Sequence, residues 1–281
     1  MTRTNVVGAS LTILAVLLLG FVADLALIGG IRHERDQHVA YATLREELAN
    51  ATAPTGQTDG DGKLLPAGTP IAVLQIPQIG LNEVVFEGTT GSVLASGPGH
   101  RRDTPLPGQA GVSVIMGRRA AFGGPFSDIA ALVRDDRFTV VTGQGRQVYR
   151  VLGVRVAGDP QPAPLAAGAG RLTLVTADGS ALAPSGVLRV DAALESPVVP
   201  SPSRPIGPGA ITEAEQPLAA DTSEWITAVL LGQVLLILSA ATVWVRARWG
   251  RWQTWMAASP LLVALGLALA DHVAFLLPNL T

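Results

Sequence analysis

The chain contains no cysteine among its 281 residues, and histidine occurs only four times. The lack of cysteine excludes disulfides, thiolate metal sites and cysteine nucleophiles. The histidines, at positions 33, 38, 100 and 272, are too scattered to predict a zinc site, so neither a metal nor another cofactor is expected. Charged residues make up 15% of the chain and the net charge is −2, which gives no indication of a nucleic-acid partner.

Apolar residues are concentrated in three long runs, and the mean hydropathy of +0.37 is high for a soluble protein. The runs extend from Val6 to about Ile31, from about Trp225 to Val245 and from about Trp255 to Leu277. Each is long enough to cross a hydrocarbon core. The first exceeds the core of an ordinary signal peptide, about 7–15 residues, so we interpret it as an uncleaved anchor; a cleavable signal is the competing interpretation. The predicted membrane segments are 1–31, 224–246 and 254–278.

Basic residues define the expected orientation. Arg246, Arg248 and Arg251 surround the connection 247–253 between the last two runs. The positive-inside rule places this loop and the N-terminus in the cytoplasm. The tryptophans near the predicted helix ends match an aromatic belt at the membrane interface: Trp225, Trp244, Trp249, Trp252 and Trp255. We therefore expect a multi-pass cell-membrane protein, with the lipid bilayer as one partner and the region between the first two helices outside the cell.

Polar side chains within the apolar runs allow two interpretations. Asp24, Asp271 and His272 could lie near the outer ends of their helices and meet water. Polar groups at lipid depth also mark functional or packing sites, so Asp24 and His272 could instead pair across a three-helix bundle.

The outer region divides into two connecting segments and one domain. In segment 32–70, Arg32 to Ala49 has helical spacing and is predicted to continue the anchor as a stalk, while Ala51 to Pro70 predicts a flexible linker. Segment 196–223 is rich in proline and predicts a semi-rigid linker. Between them, residues 71–195 have the size of one domain.

Residues 71–195 read as mainly β, with many short strands separated by Gly- and Pro-rich turns. Gly143-Gln144-Gly145 predicts a hairpin between two of the strands, and the apolar run Val112 to Met116 predicts a strand buried on both faces. Short helical turns fit Ser92–Ser96 and Phe126–Val133. The pattern favours a closed barrel or a sandwich. The predicted strands are 71–76, 84–87, 112–116, 138–142, 147–156, 172–176 and 187–193.

A series of local motifs in this domain resembles the sortase family, most closely its actinobacterial class E-like branch. The resemblance implies an eight-stranded β-barrel at the bacterial cell surface. Each motif alone is weak, but their order follows the family's. The motifs are Leu74-Gln75-Ile76-Pro77-Gln78-Ile79-Gly80-Leu81, Glu87-Gly88-Thr89-Thr90, Gly97-Pro98-Gly99-His100, Leu106-Pro107-Gly108-Gln109-Ala110-Gly111, Gly123-Gly124-Pro125-Phe126, Tyr149-Arg150-Val151 and Arg171-Leu172-Thr173-Leu174-Val175-Thr176.

The same resemblance locates the positions of the family's catalytic residues. The family histidine follows the strand matching Val112–Met116, where this chain has Arg118. The family cysteine ends the strand matching Leu172–Thr176, where this chain has Ala177. Only the family arginine is retained, as Arg189. An alanine methyl cannot be a nucleophile and arginine stays protonated, so the sequence predicts an inactive sortase homologue.

The altered site predicts binding rather than catalysis. Ligand- or peptide-binding candidates are Arg118, Arg119, Thr176, Asp178 and Arg189. Converging guanidinium groups suit a carboxylate or phosphate; alternatively, Arg118 pairs with Asp178 or faces solvent. We expect a membrane-anchored pseudo-sortase that binds or scaffolds cell-surface proteins or sorting-signal-like peptides. The alternatives are a cysteine-independent transpeptidase or hydrolase, using Thr176 or Ser180, and an accessory subunit of an active sortase.

Overall fold

The computed structural model describes residue 20 and residues 28–180, 183–207, 209–220, 224–249 and 251–281. The predicted anchor 1–31 lies almost entirely outside these residues. The chain divides into two compact units. One comprises Gly29–Ala220 together with Pro278–Thr281, and the other comprises Met1–Ile28 and Asp221–Leu277.

The first unit is a closed eight-stranded β-barrel in the order β1-β2-β3-β4-β7-β8-β6-β5, with β5 pairing back onto β1. Pairs β2/β3 and β4/β7 are parallel and the others are antiparallel. The expected eight-stranded β-barrel is therefore confirmed. The strands are β1 Pro70–Ile76, β2 Leu81–Glu87, β3 Gly99–His100, β4 Gly111–Met116, β5 Arg137–Thr142, β6 Gly145–Arg155, β7 Gly170–Gly179 and β8 Pro184–Leu194.

Alternation along β7 and β8 separates an interior face from an outer face, as strand geometry requires. Leu172 and Leu174 of β7 and Leu188 and Val190 of β8 point into the main core. The intervening residues, including Ala177, lie on the outer face. This alternation places the sortase-matched catalytic positions outside the barrel core.

The predicted hairpin is confirmed by β5 and β6, which pair from Arg137/Arg150 to Thr142/Gly145. Within it, the rings of Phe138 and Tyr149 stack with centroids 5.6 Å apart. The strand predicted over Val112–Met116 forms as β4, but its predicted burial on both faces is wrong because Val112 is 37% exposed. Strand β3 was missed because two residues carry no periodic pattern.

Both predicted helical turns form, as α2 (Gly91–Ser96) and a 3₁₀ turn at Ile129–Ala131. The Thr90 hydroxyl caps α2 by accepting a hydrogen bond from the Val93 amide at 3.4 Å. This cap fixes the turn that carries the buried Leu94.

The segment predicted as a stalk forms helix α1 (Gly29–Ala49), and it packs against the barrel. Leu44 is fully buried in a cluster with Val73, Val84 and Phe86 of the barrel. The Gln37 amide donates to the Val84 carbonyl at 3.1 Å and accepts from the Val84 amide at 2.6 Å. The prediction of a separate stalk is therefore wrong. The apolar face of α1 is buried against the barrel instead of standing free in solvent.

The two segments predicted as linkers are also fixed along the barrel. The buried Gln57 amide donates to the carbonyls of Arg102 and Ile206. The Asp103 carboxylate accepts from the Gly209 amide at 2.8 Å and is paired with Arg101. These charge-assisted hydrogen bonds lower the pKa of Asp103 against the opposing effect of burial. The predicted flexibility of 51–70 is thus wrong for Gln57 and its neighbours, which are held by side-chain contacts distant in sequence.

The second unit contains helices α3 (Trp225–Trp249) and α4 (Arg251–Leu276). Trp225–Val245 and Trp252–Leu276 are long and apolar enough to cross a membrane. Both helices extend into the predicted loop 247–253, so most of that stretch is helical. His272 contacts Glu224 through Nδ1 at 2.5 Å. The proposed partner of His272, Asp24, lies outside the described residues.

Candidate functional site

The groove on the outer face of β4, β7 and β8 contains the positions matched to the sortase catalytic residues. Strand β4 runs parallel to β7 and ends beside Val175, with Met116 opposite that residue. Strand β8 runs antiparallel to β7, with Val187 opposite Ala177 and Arg189 opposite Val175. The topology therefore brings the end of β4 together with Ala177.

The floor of this groove is apolar. Ala177 is 1% exposed and packs in a cluster with Leu94, Met116, Val175 and Leu280. Val114, Val187 and Leu218 border the cluster and are partly buried. Position 177 is thus a methyl group within a buried apolar cluster.

The chain's own residues Pro278–Thr281, here called the groove segment, cover this floor. Asn279, Leu280 and Thr281 are each no more than 1% exposed. The Leu280 carbonyl accepts from the Arg119 amide at 2.9 Å, and the Asn279 amide donates to the Ala219 carbonyl at 2.8 Å. Main-chain hydrogen bonds therefore hold the groove segment on two sides.

Arg118, which the motif order predicts at the position of the family histidine, is completely buried. Its Nη2 donates to the Gly91 carbonyl at 3.0 Å and its Nη1 to the Thr281 carbonyl at 3.4 Å. The guanidinium also lies over the Phe122 ring, 4.7 Å from its centroid. Burial lowers the pKa of Arg118 to about 10. The alternative in which Arg118 pairs with Asp178 or faces solvent is wrong, because this guanidinium is enclosed among carbonyl oxygens.

Gly117 sets the direction of the chain into Arg118. A Cβ at Gly117 would lie 2.6 Å from the Phe126 ring, closer than real Cβ atoms approach other atoms. The absence of a side chain allows β4 to end tightly against Phe126. Arg118 consequently enters the groove instead of continuing the strand.

The second arginine of the motif binds the β7–β8 connection. Nη1 of Arg119 donates to the carbonyls of Gly179 at 2.5 Å and Ala177 at 3.4 Å. Its main-chain amide binds the groove segment at Leu280. Arg119 therefore lies at the site, but its guanidinium is occupied by main-chain oxygens.

Arg189 lies on the same outer face as Ala177, two residues beyond Val187 along β8. It is half-buried and faces Arg155 across the strand pair. Desolvation and the nearby Arg155 charge lower the pKa of Arg189. Asp191 offsets part of this charge, since its carboxylate accepts from Arg155 and from the Thr173 hydroxyl. The predicted convergence thus brings together Arg118, Arg119 and Ala177, while Arg189 lies in an adjoining charged cluster.

The remaining predicted site residues, Thr176 and Asp178, lie in different surroundings. Thr176 is buried and its hydroxyl donates to the Gly117 carbonyl at 2.8 Å, so it supports the turn before Arg118. Asp178 is half-buried beside Ala177 on β7. The other histidine of the motifs, His100, pairs with Glu87 at 2.8 Å and contacts the Pro105 carbonyl at 3.0 Å.

Sequence reasoning missed the groove segment, which follows the last helix and returns to the barrel. The available signal was indirect: Pro278 cannot continue a helix easily, and Asn-Leu-Thr follows it. A second cleft, of about 450 Å³, is lined by Gln75, Asn82, Arg137 and Arg146 among others. It includes none of the residues predicted for the site.

Comparison with known proteins agrees with the motif order. Residues 74–182 match the Sortase domain family model. The match identifies a sortase domain within the barrel. Sortase E from Streptomyces avermitilis is 31% identical, covering 47% of this chain and 91% of that one with a TM-score of 0.41.

Other solved sortases are similar at lower identity. A sortase D5 transpeptidase from Clostridium perfringens is 20% identical, covering 58% of this chain and 99% of that one, with a TM-score of 0.47. Sortase E1 from Streptomyces coelicolor, solved with a tripeptide in its active site, is 22% identical, covering 46% and 90%, with a TM-score of 0.42. No curated protein sequence is significantly similar to the chain.

Proposed function

We propose that this sortase domain is a membrane-anchored, non-catalytic module that binds peptide segments of cell-surface proteins. The proposal is supported by the environment of Ala177, a buried methyl group in one apolar cluster with Leu280. The motif resemblance matches this position to the family's nucleophile. A groove of this kind retains a peptide-sized contact surface without a reactive atom.

Acyl transfer requires a nucleophile, a group that exchanges protons with it, and a donor for the oxyanion. Ala177 supplies no lone pair. The pKa of Arg118 is lowered only to about 10, so at neutral pH this group stays protonated and cannot act as a base. Loss of the nucleophile from such a unit typically costs a factor of about 10⁶ in rate.

Neighbouring hydroxyl and imidazole groups are engaged elsewhere, which also supports a binding role. The Thr176 hydroxyl donates to the Gly117 carbonyl. His100 contacts Glu87 through Nδ1, and the Pro105 carbonyl and the Thr104 hydroxyl through Nε2. The Thr104 hydroxyl in turn donates to the Arg101 carbonyl at 2.7 Å. A hydroxyl nucleophile needs a base within hydrogen-bond reach. Among the contacts of the described residues, the Thr176 hydroxyl and the His100 ring are not paired with each other.

The membrane helices support a location at the cell surface. Two apolar helices follow the barrel, and the arginines at 246, 248 and 251 lie between their apolar parts. The positive-inside rule places that connection in the cytoplasm and the barrel outside. The domain would then meet peptides of other surface proteins.

Turnover of a sorting-signal peptide tests the proposal. The full chain in detergent is incubated with a Leu-Pro-x-Thr-type peptide and an amine acceptor, and products are separated by liquid chromatography and mass spectrometry. We expect no hydrolysis or transfer by the wild type. The matched arm restores Arg118→His and Ala177→Cys together. Wild-type turnover that disappears on Thr176→Ala would refute the proposal in favour of hydroxyl chemistry.

A further inference from the structure

We infer that the groove over Ala177 is a sequence-selective peptide-binding site and that Pro278–Thr281 is its resident ligand. The inference deepens the proposed function, on which it rests, by naming the peptide class that the groove takes: a side-chain amide followed by a leucine-sized residue. Three sets of contacts define the site.

The first set is an apolar pocket for one side chain. Leu280 is fully buried in one apolar cluster with Leu94, Met116, Val175 and Ala177. A side chain here loses all contact with water, so a leucine-sized apolar residue is favoured and a charged one is strongly disfavoured. Alanine at position 177 leaves the pocket without any polar atom from that side chain.

The second set recognises the preceding residue by its side-chain amide. Nδ2 of Asn279 donates to the Thr89 carbonyl at 3.1 Å and to the Gln216 carbonyl at 3.0 Å. The Thr89 hydroxyl donates to the Glu215 carbonyl at 2.7 Å, which fixes the two acceptors relative to each other. Two carbonyl oxygens accept only from a donor, so the Nδ2 group fits and a carboxylate is excluded. Oδ1 of Asn279 is buried and makes no hydrogen bond with the described residues.

The third set holds the main chain of any peptide in this register. The amides of Arg119 and Ala121 donate to the Leu280 and Thr281 carbonyls at 2.9 and 3.4 Å. The Arg118 guanidinium reaches the Thr281 carbonyl as well. These contacts supply affinity, while the two side-chain pockets supply selectivity.

The donors are positioned by contacts that do not involve the groove segment. Arg118 is held by the Gly91 carbonyl and the Phe122 ring, and Arg119 by the Gly179 carbonyl. Nε of Arg118 is buried and makes no hydrogen bond with the described residues. A site whose donors are fixed in advance loses less conformational freedom on binding a peptide.

Because the resident ligand is part of the chain, its binding to the groove is intramolecular and competes with any free peptide. Free peptides of the same pattern should therefore bind weakly to the intact chain. Removal of the groove segment should uncover the site.

The test uses the full chain in detergent with residues 278–281 deleted, and a fluorescein-labelled Pro-Asn-Leu-Thr peptide followed by anisotropy. We expect saturable binding to the deleted chain and binding weaker by about tenfold or more to the wild type. Peptides with Leu→Asp or Asn→Asp should each bind the deleted chain about tenfold or more weakly. Equal binding of all three peptides, or no binding to a folded deleted chain, would overturn the inference.

A second measurement applies if the deletion unfolds the barrel. Ala177→Cys and Leu280→Cys are combined in the full chain, which has no other cysteine. We expect an intramolecular disulfide to form on mild oxidation and an excess of Pro-Asn-Leu-Thr, but not its Leu→Asp form, to slow it. Ala131→Cys with Leu280→Cys is the control, since Ala131 is exposed. Absence of the first crosslink, or equal slowing by both peptides, refutes the inference.

The outcomes for the two proposals are separable. Peptide that binds selectively but is cleaved would refute the non-catalytic function and leave the binding site intact. If Pro-Asn-Leu-Thr is not bound and the Leu-Pro-x-Thr-type peptide is not turned over, this site and its selectivity are refuted, while the absence of catalysis stands.

Discussion

A thiol introduced at position 177 should be protected from chemical labelling by the groove segment. The Ala177→Cys substitution adds one sulfur to a chain without cysteine, so every labelled molecule reports on this position. Ala177 is 1% exposed and lies against Leu280, which is fully buried. A reagent can reach the thiol only after Leu280 leaves its pocket.

The structure sets the size of this protection. Exposing a buried leucine side chain costs about 1.5–3 kcal/mol. With a tenfold change for each ~1.4 kcal/mol, the open population should be about 10- to 150-fold smaller than the closed one. The main-chain hydrogen bonds of Leu280 and Thr281 raise this cost further, so the lower figure is a minimum.

The assay compares maleimide labelling rates in the folded chain under conditions where closing is faster than labelling. Ala131→Cys, on an exposed 3₁₀ turn, provides the reference rate. Ala177→Cys should react about 10-fold or more slowly than this reference, and deletion of residues 278–281 should remove most of the difference. Equal rates for both cysteines in the intact chain would show that the groove is open and would refute the packing argument.

Three further predictions concern the buried polar groups around the barrel, measured by pulse proteolysis in urea. His100→Ala should destabilise the barrel by about 3–5 kcal/mol, because the Glu87 carboxylate is then buried without its partner; an unchanged midpoint would contradict this. Tyr149→Phe should cost about 1–2 kcal/mol, since the Gly108 amide loses its 2.7 Å acceptor; a more stable variant would show that water replaces the hydroxyl. Burial lowers the pKa of Arg118 in the folded barrel to about 10. Above that pH the unfolded chain binds more protons than the folded chain, so the free energy of unfolding should rise with pH. The stability of the wild type relative to Arg118→Met should therefore be constant below about pH 10 and increase above it, and a difference that stays constant above pH 10 would argue against the shift.

Local patterns predicted most of the barrel correctly. The hairpin of β5 and β6 follows from a Gly-Gln-Gly turn between two apolar runs, which specifies its own pairing. Strand β3 consists only of Gly99 and His100. Two residues are too few to show an alternating apolar pattern, so the sequence does not predict this strand. The exposure of Val112 depends on which elements cover each face of β4. The composition of one strand does not show which of its faces is covered.

Long-range contacts account for what the sequence did not predict. Alignment with the sortase motifs located Arg118 and Ala177, and both lie in one groove. Nothing in their neighbourhood indicates that a segment more than 100 residues later covers them. The same holds for Gln57, whose amide binds Ile206 across the barrel surface. Polar, proline-rich stretches read as linkers whenever their hydrogen-bond partners are distant in sequence.

The central claim, that this groove holds a peptide without acyl transfer, is tested most directly by the intact mass of the chain. Wild-type protein in detergent is incubated with a Leu-Pro-x-Thr-type peptide, quenched in acid and analysed by mass spectrometry. We expect an unmodified chain and an uncleaved peptide, because Ala177 offers no atom that can accept an acyl group. A chain carrying the acyl mass of the cleaved peptide would contradict it.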